Sequence, residues 1–217
     1  MNHLILKYGY PITAAILAIF AWVVYRRIAG GSDIVVLAAT AVVVWAIAAP
    51  AFLYFWPRLT VDGFRRAIVK RGLGGGPIPV NTLYVTPTTA RPSASGASLL
   101  GAGTEDLLYL GGWLDMSAGP RVLRTPDMTG RYYSLQFTAP SNSANFAYVG
   151  TRTTGASAGS YLLTAPGWTG TVPAGMTRIP SPTASVLVIG RVFVENESDL
   201  PAAYELATRI QLEPLRP

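Results

Sequence analysis

The chain has 217 residues, of which 50% are hydrophobic and 13% charged. An average soluble domain carries about 25% charge, so the composition excludes a disordered chain and argues against a purely water-soluble one. There is no cysteine and a single histidine, His3. Disulfides, thiol nucleophiles and cysteine-bearing metal sites are excluded, and a histidine-ligated metal or serine–histidine pair lacks its parts.

The net charge of +6 is confined to one part of the chain. Lys7, Arg26 and Arg27 against Asp33 leave residues 1–56 at +2. Arg58, Arg65, Arg66, Lys70 and Arg71 against Asp62 leave residues 57–71 at +4. Residues 72–217 balance nine arginines with nine carboxylates. A nucleic-acid footprint needs a basic patch on the folded domain itself, so no nucleic-acid partner is expected. Basic residues flanking apolar segments suit anionic headgroups instead, at about 1 kcal/mol each.

Two uncharged runs, Tyr8–Tyr25 and Ile34–Trp56, predict a transmembrane hairpin over residues 1–57, with helices at about 4–25 and 34–56. The second run would span about 35 Å as a helix, enough for a hydrocarbon core of about 30 Å. The first reaches that length if Lys7 snorkels. Tyr8, Tyr10, Tyr54 and Trp56 are expected at one interface and Trp22 and Tyr25 at the other. Gly30-Gly31 supplies the turn, and Asp33 suits the N-terminus of the second helix. A cleaved signal peptide would need a small-residue site ahead of Arg26-Arg27, and none is present.

Residues 58–77 are read as a short amphipathic helix followed by a glycine-rich hinge. Val61, Phe64 and Ile68 form an apolar stripe beside Arg65, Arg66 and Lys70. Such a helix, with Arg58 and Arg71 at its ends, lies on lipid headgroups. Docking on a partner subunit would use the same residues. Gly72–Pro77 lacks the Gly-Lys-Ser/Thr of a phosphate loop, so it serves as the hinge.

From residue 78 to 217 the pattern is mainly β. The clearest strands are Ile78–Val85, Arg121–Thr125, Arg131–Thr138, Phe146–Thr151, Tyr161–Ala165 and Ala184–Val194. Gly190 marks a bulge or a close backbone approach in the last. Many short strands at regular spacing predict a jelly-roll-like β-sandwich. One short helix follows Ser198-Asp199, with Pro201 in its first turn, a Glu205–Arg209 pair, and Leu200, Ala203, Tyr204 and Ala207 as its apolar face. Pro87–Gly103 is of low complexity and reads as a mobile loop.

Candidate chemistry is sparse, and no cofactor or metal motif is present. Asp106, Asp115 and Asp127 could supply a glycosidase-type carboxylate pair, although aspartates beside turns commonly bond their own backbone. Arg121, Arg124, Arg131 and Arg152 could converge on an anion or stand on a solvated face. Trp113 and Trp168 could stack on a sugar or fill the core.

The stretches WLDMSAGPRVLRTPDMTGRYYSLQF (113–137), YVGTRTTG (148–155), APGWTGTVPAGMTRI (165–179) and VLVIGRVFVENESDLPAAYELATRIQLEPL (186–215) are very similar to the bacterial domain-of-unknown-function family 1254. The resemblance covers about residues 78–215. It implies an exported or membrane-anchored jelly-roll-like domain with no established reaction, commonly followed by a second β-domain of family 1214. Thr104–Tyr109 keeps Asp106 and Leu108-Tyr109 of the family's Asn-Arg-Asp-Thr-Leu-Tyr, and Asn142-Ser143 replaces its Trp-Thr. No 1214-type sequence precedes Pro217, so a partner chain is expected to supply it.

A literal positive-inside count puts the C-terminal domain in the cytoplasm. Large domains translocate largely regardless of charge, and the family's habit places it outside, on the bacterial cytoplasmic membrane. The expected function is a non-catalytic, membrane-anchored accessory or assembly subunit of a larger membrane protein complex, in contact with the bilayer and other membrane subunits. The alternatives are a small-molecule or envelope-glycan binding module using Asp106, Arg131, Arg152 and Trp168, or a hydrolase completed by a partner chain.

Overall fold

The computed structural model describes residues 17–27, 34–72, 76–87, 106–140 and 144–216. Residues 4–16 with Tyr8 and Tyr10, the Gly30-Gly31 turn and Asp33, hinge positions 73–75, loop positions 88–103 and Asn142-Ser143 lie outside the described residues. The chain forms two compact units, Met1–Leu59 and Thr60–Pro217.

Residues 17–27 (α1) are helical. The next helix, α2 (Ile34–Arg71), has 38 residues and is long and apolar enough, from Ala38 onward, to cross a membrane. Among the described residues one helix has spanning length, and the expected two-helix hairpin is not shown. The described part of the first run, residues 17–25, covers nine residues, roughly 14 Å, just under half a hydrocarbon core. Pro57 does not separate a membrane helix from an amphipathic one either. Both Pro50 and Pro57 lie inside α2, where each removes one intrahelical bond.

The second unit is mainly β, with two sheets. Sheet A orders β1 (Tyr84–Val85), β2 (Leu107–Asp115), β8 (Ser185–Phe193), β4 (Tyr133–Ala139) and β5 (Ala144–Gly150), every neighbour antiparallel. Sheet B orders β7 (Thr177–Pro180), β6 (Gly159–Thr164), β3 (Arg121–Thr125) and β9 (Gln211–Pro214), with β6 and β7 parallel. One buried cluster draws Leu108, Leu110, Leu135, Phe137 and Val188 from sheet A and Leu123, Tyr161, Leu163 and Ile179 from sheet B. Alternation along each strand sends these residues to a common core and their neighbours outward.

Strand β3 forms where expected, and β4, β5, β6 and β8 agree with their predicted spans to within two residues. The expected Ile78–Val85 strand shrinks to Tyr84–Val85. Thr82 N–H bonds Pro79 O in a turn, and Asn81 adopts φ +66°, which no strand residue does. Asn81 earns that conformation by accepting from Asp115 N–H at 2.8 Å and donating its own N–H to Trp113 O. At Gly190 there is no bulge: the register runs evenly against Leu110 and Leu135. A Cβ there would lie 2.5 Å from Leu110 Cγ and 2.6 Å from Leu135 Cδ2, so the glycine marks close packing. The irregularity of sheet A falls instead at Phe137/Thr138.

The short helix α3 (Leu200–Thr208) buries Ala203 and Ala207. Tyr204, expected on the apolar face, is exposed. Asp199 occupies the N-cap without a capping side-chain bond, because its carboxylate is used elsewhere. No Glu205–Arg209 ion pair forms among the described residues; Arg209 N–H bonds Glu205 O instead.

Candidate functional site

Three surfaces are relevant to function: the helices of the first unit and the two ends of the β domain. On α1, Ala21 and Tyr25 are buried while Ile19, Phe20 and Trp22 stand exposed. On α2, Val42, Val43, Trp45, Ile47, Leu53, Tyr54 and Phe55 are all more than half exposed. Its less exposed positions recur at Ala41, Val44, Ala48, Phe52 and Trp56, a one-face spacing. Arg26 lies over Trp22 at 5.2 Å and Arg58 over Tyr54 at 3.7 Å, aromatic–arginine pairs of the kind that sit between apolar and wet surroundings.

The last turns of α2 belong to the β domain. Ile68 is 1% exposed and clusters with Ile78 and Trp113, with Val61, Phe64, Val69, Tyr84 and Leu187 packed around them. The apolar stripe expected on headgroups thus covers the part of the outer face of sheet A around Trp113 and Leu187, which face away from the main core. Arg65 lies 6.0 Å from the Trp113 ring and 3.9 Å from Asp115 Oδ2. The Trp113 indole donates to Ser185 Oγ at 2.7 Å. Arg66 pairs with Asp62, and Lys70 and Arg71 are exposed.

Register sorts the four residues expected to form a ligand site. Leu107 pairs with Phe193, Tyr133 with Val192 and Ser134 with Gly150. Asp106, Arg131 and Arg152, which adjoin these pairs, therefore share one end of sheet A. Trp168 follows the last residue of β6, where β6 reaches the start of β3, and β3 begins at the opposite end, just beyond Asp115. The four are not brought together. Trp168 carries Arg178 at 5.1 Å from its ring, and its carbonyl accepts from Arg178 Nη2.

Arg131 is held by three hydrogen bonds. It donates to Asp199 Oδ2 and Oδ1 and to Phe193 O, each at 2.6 Å, and Asp199 also accepts from Glu195 N–H at 2.9 Å. These bonds lower the Asp199 carboxyl to about 2, Arg131 being the largest cause, and raise Arg131 above its ordinary value. Arg152 lies over Tyr132 at 5.2 Å, and Asp106 is exposed.

Asp106 and Asp115 do not form a hydrolytic pair. They flank the two ends of β2, roughly 30 Å apart at strand rise, against the 5–10 Å that such a pair needs. Asp115 accepts from Ser117 N–H and Asp127 from Thr129 N–H, both at 2.9 Å, turn contacts of the expected kind. The hydroxyls of Ser117 and Thr129, and after them these N–H bonds, lower both carboxyls below the ordinary value. Of the four grouped arginines, Arg124 bonds Ser160 Oγ and lies 3.7 Å from Glu213. Arg191 carries no local signal in the sequence. Its place opposite Tyr109 comes from pairing that no local pattern reveals.

A two-sheet β domain preceded by a long apolar helix defines the class of protein. Residues 80–214 match the family described as Protein of unknown function (DUF1254), and the chain belongs to it. The crystal structure of the VPA0106 protein from Vibrio parahaemolyticus is similar in fold, with a TM-score of 0.60 over 76% of this chain and 23% identity. The chain spans 37% of that protein's length. An uncharacterized protein from Burkholderia cenocepacia is 12% identical, with a TM-score of 0.36 over 91% of this chain and 49% of that one. No curated protein matches the chain.

Proposed function

We propose that the chain is a non-catalytic, membrane-anchored accessory or assembly subunit of a larger membrane protein complex. In this reading it crosses the bacterial cytoplasmic membrane in two passes and presents a jelly-roll-like β-sandwich on the extracytoplasmic side. The observation that carries it is the exposed apolar surface of α2 and α1, from Ile19 and Phe20 to Leu53 and Phe55. Soluble monomers rarely expose contiguous apolar patches beyond a few hundred Å², so this surface needs lipid or protein against it.

The core shared by both sheets supports the sandwich. The single-face burial of Ala21 and Tyr25, with the matching spacing on α2, supports a second pass. The partners of this reading are the bilayer, other membrane subunits, and a chain carrying a 1214-type domain. That the Vibrio relative has length well beyond the shared fold supports a domain that works beside further protein.

The test is the mass and composition of the tagged chain after extraction from native membranes in mild detergent. Stoichiometric membrane subunits are expected. A chain that elutes alone, or that washes off the membrane with alkaline carbonate, overturns the proposal.

A further inference from the structure

On the outer face of sheet A, four residues form one row across four strands. Tyr109 of β2 pairs with Arg191 of β8, Arg191 with Ser134 of β4, and Ser134 with Gly150 of β5. The next row contains Tyr132 and Arg152, in contact at 5.2 Å. Arg191 lies over Tyr109 at 5.5 Å. Arg191 on β8 and Arg152 beyond β5 thus stand on either side of β4, which carries Ser134, each in contact with a tyrosine ring. Their backbones stand two strands and one same-face row apart, about 12 Å, a gap within the reach of two guanidinium side chains.

These cations differ from the others of the domain. Arg65, Arg124 and Arg131 each lie within 4 Å of a carboxylate, whereas Arg152 and Arg191 have none at that distance among the described residues. Ser134 Oγ makes no hydrogen bond among the described residues, although it is half-buried. The carboxylate that β2, β8, β4 and β5 carry on this face is Asp115, roughly 20 Å along β2 from Tyr109 and beside Arg65. Cation–π contact holds each guanidinium plane while leaving its N–H edges available.

We propose that Arg152, Arg191 and Ser134 form a binding site for a phosphate group. Two guanidinium forks and a hydroxyl offer more convergent donors than the two oxygens of a carboxylate can use, and a tetrahedral oxyanion satisfies them. The phosphate can belong to a soluble ester or to a lipid headgroup. The site depends on the β domain alone and is independent of the subunit reading.

The full-length chain in neutral detergent is titrated calorimetrically with inorganic phosphate, and then with mixed micelles of phosphatidylglycerol or phosphatidylcholine. Saturable phosphate binding is expected, weakened at least tenfold in R152Q and in R191Q and about threefold in S134A. R124Q, which removes a carboxylate-paired arginine from sheet B, is expected to bind like the parent. Displacement of phosphate by phosphatidylglycerol micelles supports the site with a lipid source, and binding without displacement supports it with a soluble ester. Absence of phosphate binding, equal binding by the double variant R152Q/R191Q, or an equal loss in R124Q overturns it.

Discussion

Arg131 and Asp199 are joined by two hydrogen bonds of 2.6 Å, although 68 residues separate them. Both side chains are more than four-fifths buried, and the pair ties the turn before β4 to the start of α3 and, through Phe193 O, to the end of β8. The Asp199 carboxyl, at about 2 against an ordinary 3.8, contributes stability that is complete above pH 4 and lost as pH falls through 3.8 toward 2. Converted by linkage, that is about 2 kcal/mol. D199N is expected to be less stable by about this amount at pH 7 and to lack that part of the acid loss. Urea unfolding of the full chain in detergent at pH 7, 4 and 2, followed by tryptophan fluorescence, measures both. Parallel acid profiles for the two proteins would sink the assignment.

The stripe on the last turns of α2 makes a second prediction. With Ile68 buried against Ile78 and Trp113, I68A should cost on the order of 3 kcal/mol of β-domain stability. Hydrogen exchange of β2 amides is the readout. Unchanged protection in I68A would mean that the stripe faces lipid instead.

Glycines predict a graded pair. A Cβ at Gly190 meets side-chain atoms of Leu110 and Leu135, but one at Gly112 lies 2.0 Å from the backbone oxygen of Thr82. G190A should cost about 1–3 kcal/mol by overpacking, and G112A more, because it must push the 81–83 segment off the edge of β2. Thermal unfolding of both variants, with limited proteolysis around Thr82, tests the order.

Tyr133 is buried in the core, its hydroxyl 3.4 Å from Gly155 O. Burial pushes this hydroxyl above its ordinary value of 10.0. The neutral form is favoured in the fold, so the stability it confers is complete below pH 10 and lost as pH rises beyond that. Y133F should be within about 1 kcal/mol of the parent at pH 7 and show a shallower loss between pH 9 and 11. A steeper loss in Y133F would contradict the buried, neutral phenol.

How much could be read in advance depended on the element. Strand β4 alternates Tyr133, Leu135 and Phe137 with polar residues and is legible because one face is wet. Strand β2 has no such alternation: Leu108, Leu110 and Leu114 enter the main core while Trp113 is buried on the other face, with two glycines between. Strands β7 and β9 are four-residue edges ending in Pro180 and Pro214, where proline argues locally against a strand. The site was partly legible for a similar reason. Strand ends place Asp106, Arg131 and Arg152 together, but the partner of Arg131 and the row holding Arg191 depend on long-range pairing.

The position of β8 has a consequence for how the domain comes into being. β8 separates β2 from β4 in the middle of sheet A, yet it is the last of that sheet's five strands to be synthesised. Until residues 185–193 arrive, β2 and β4 have a strand-wide gap between them, and neither Gly190 nor its leucine neighbours can close the core. Non-local pairing of this kind is slow. Sheet A therefore stays in two separate pieces, β1-β2 and β4-β5, until β8 emerges, and until then the facing edges of β2 and β4 depend on whatever shields exposed strands.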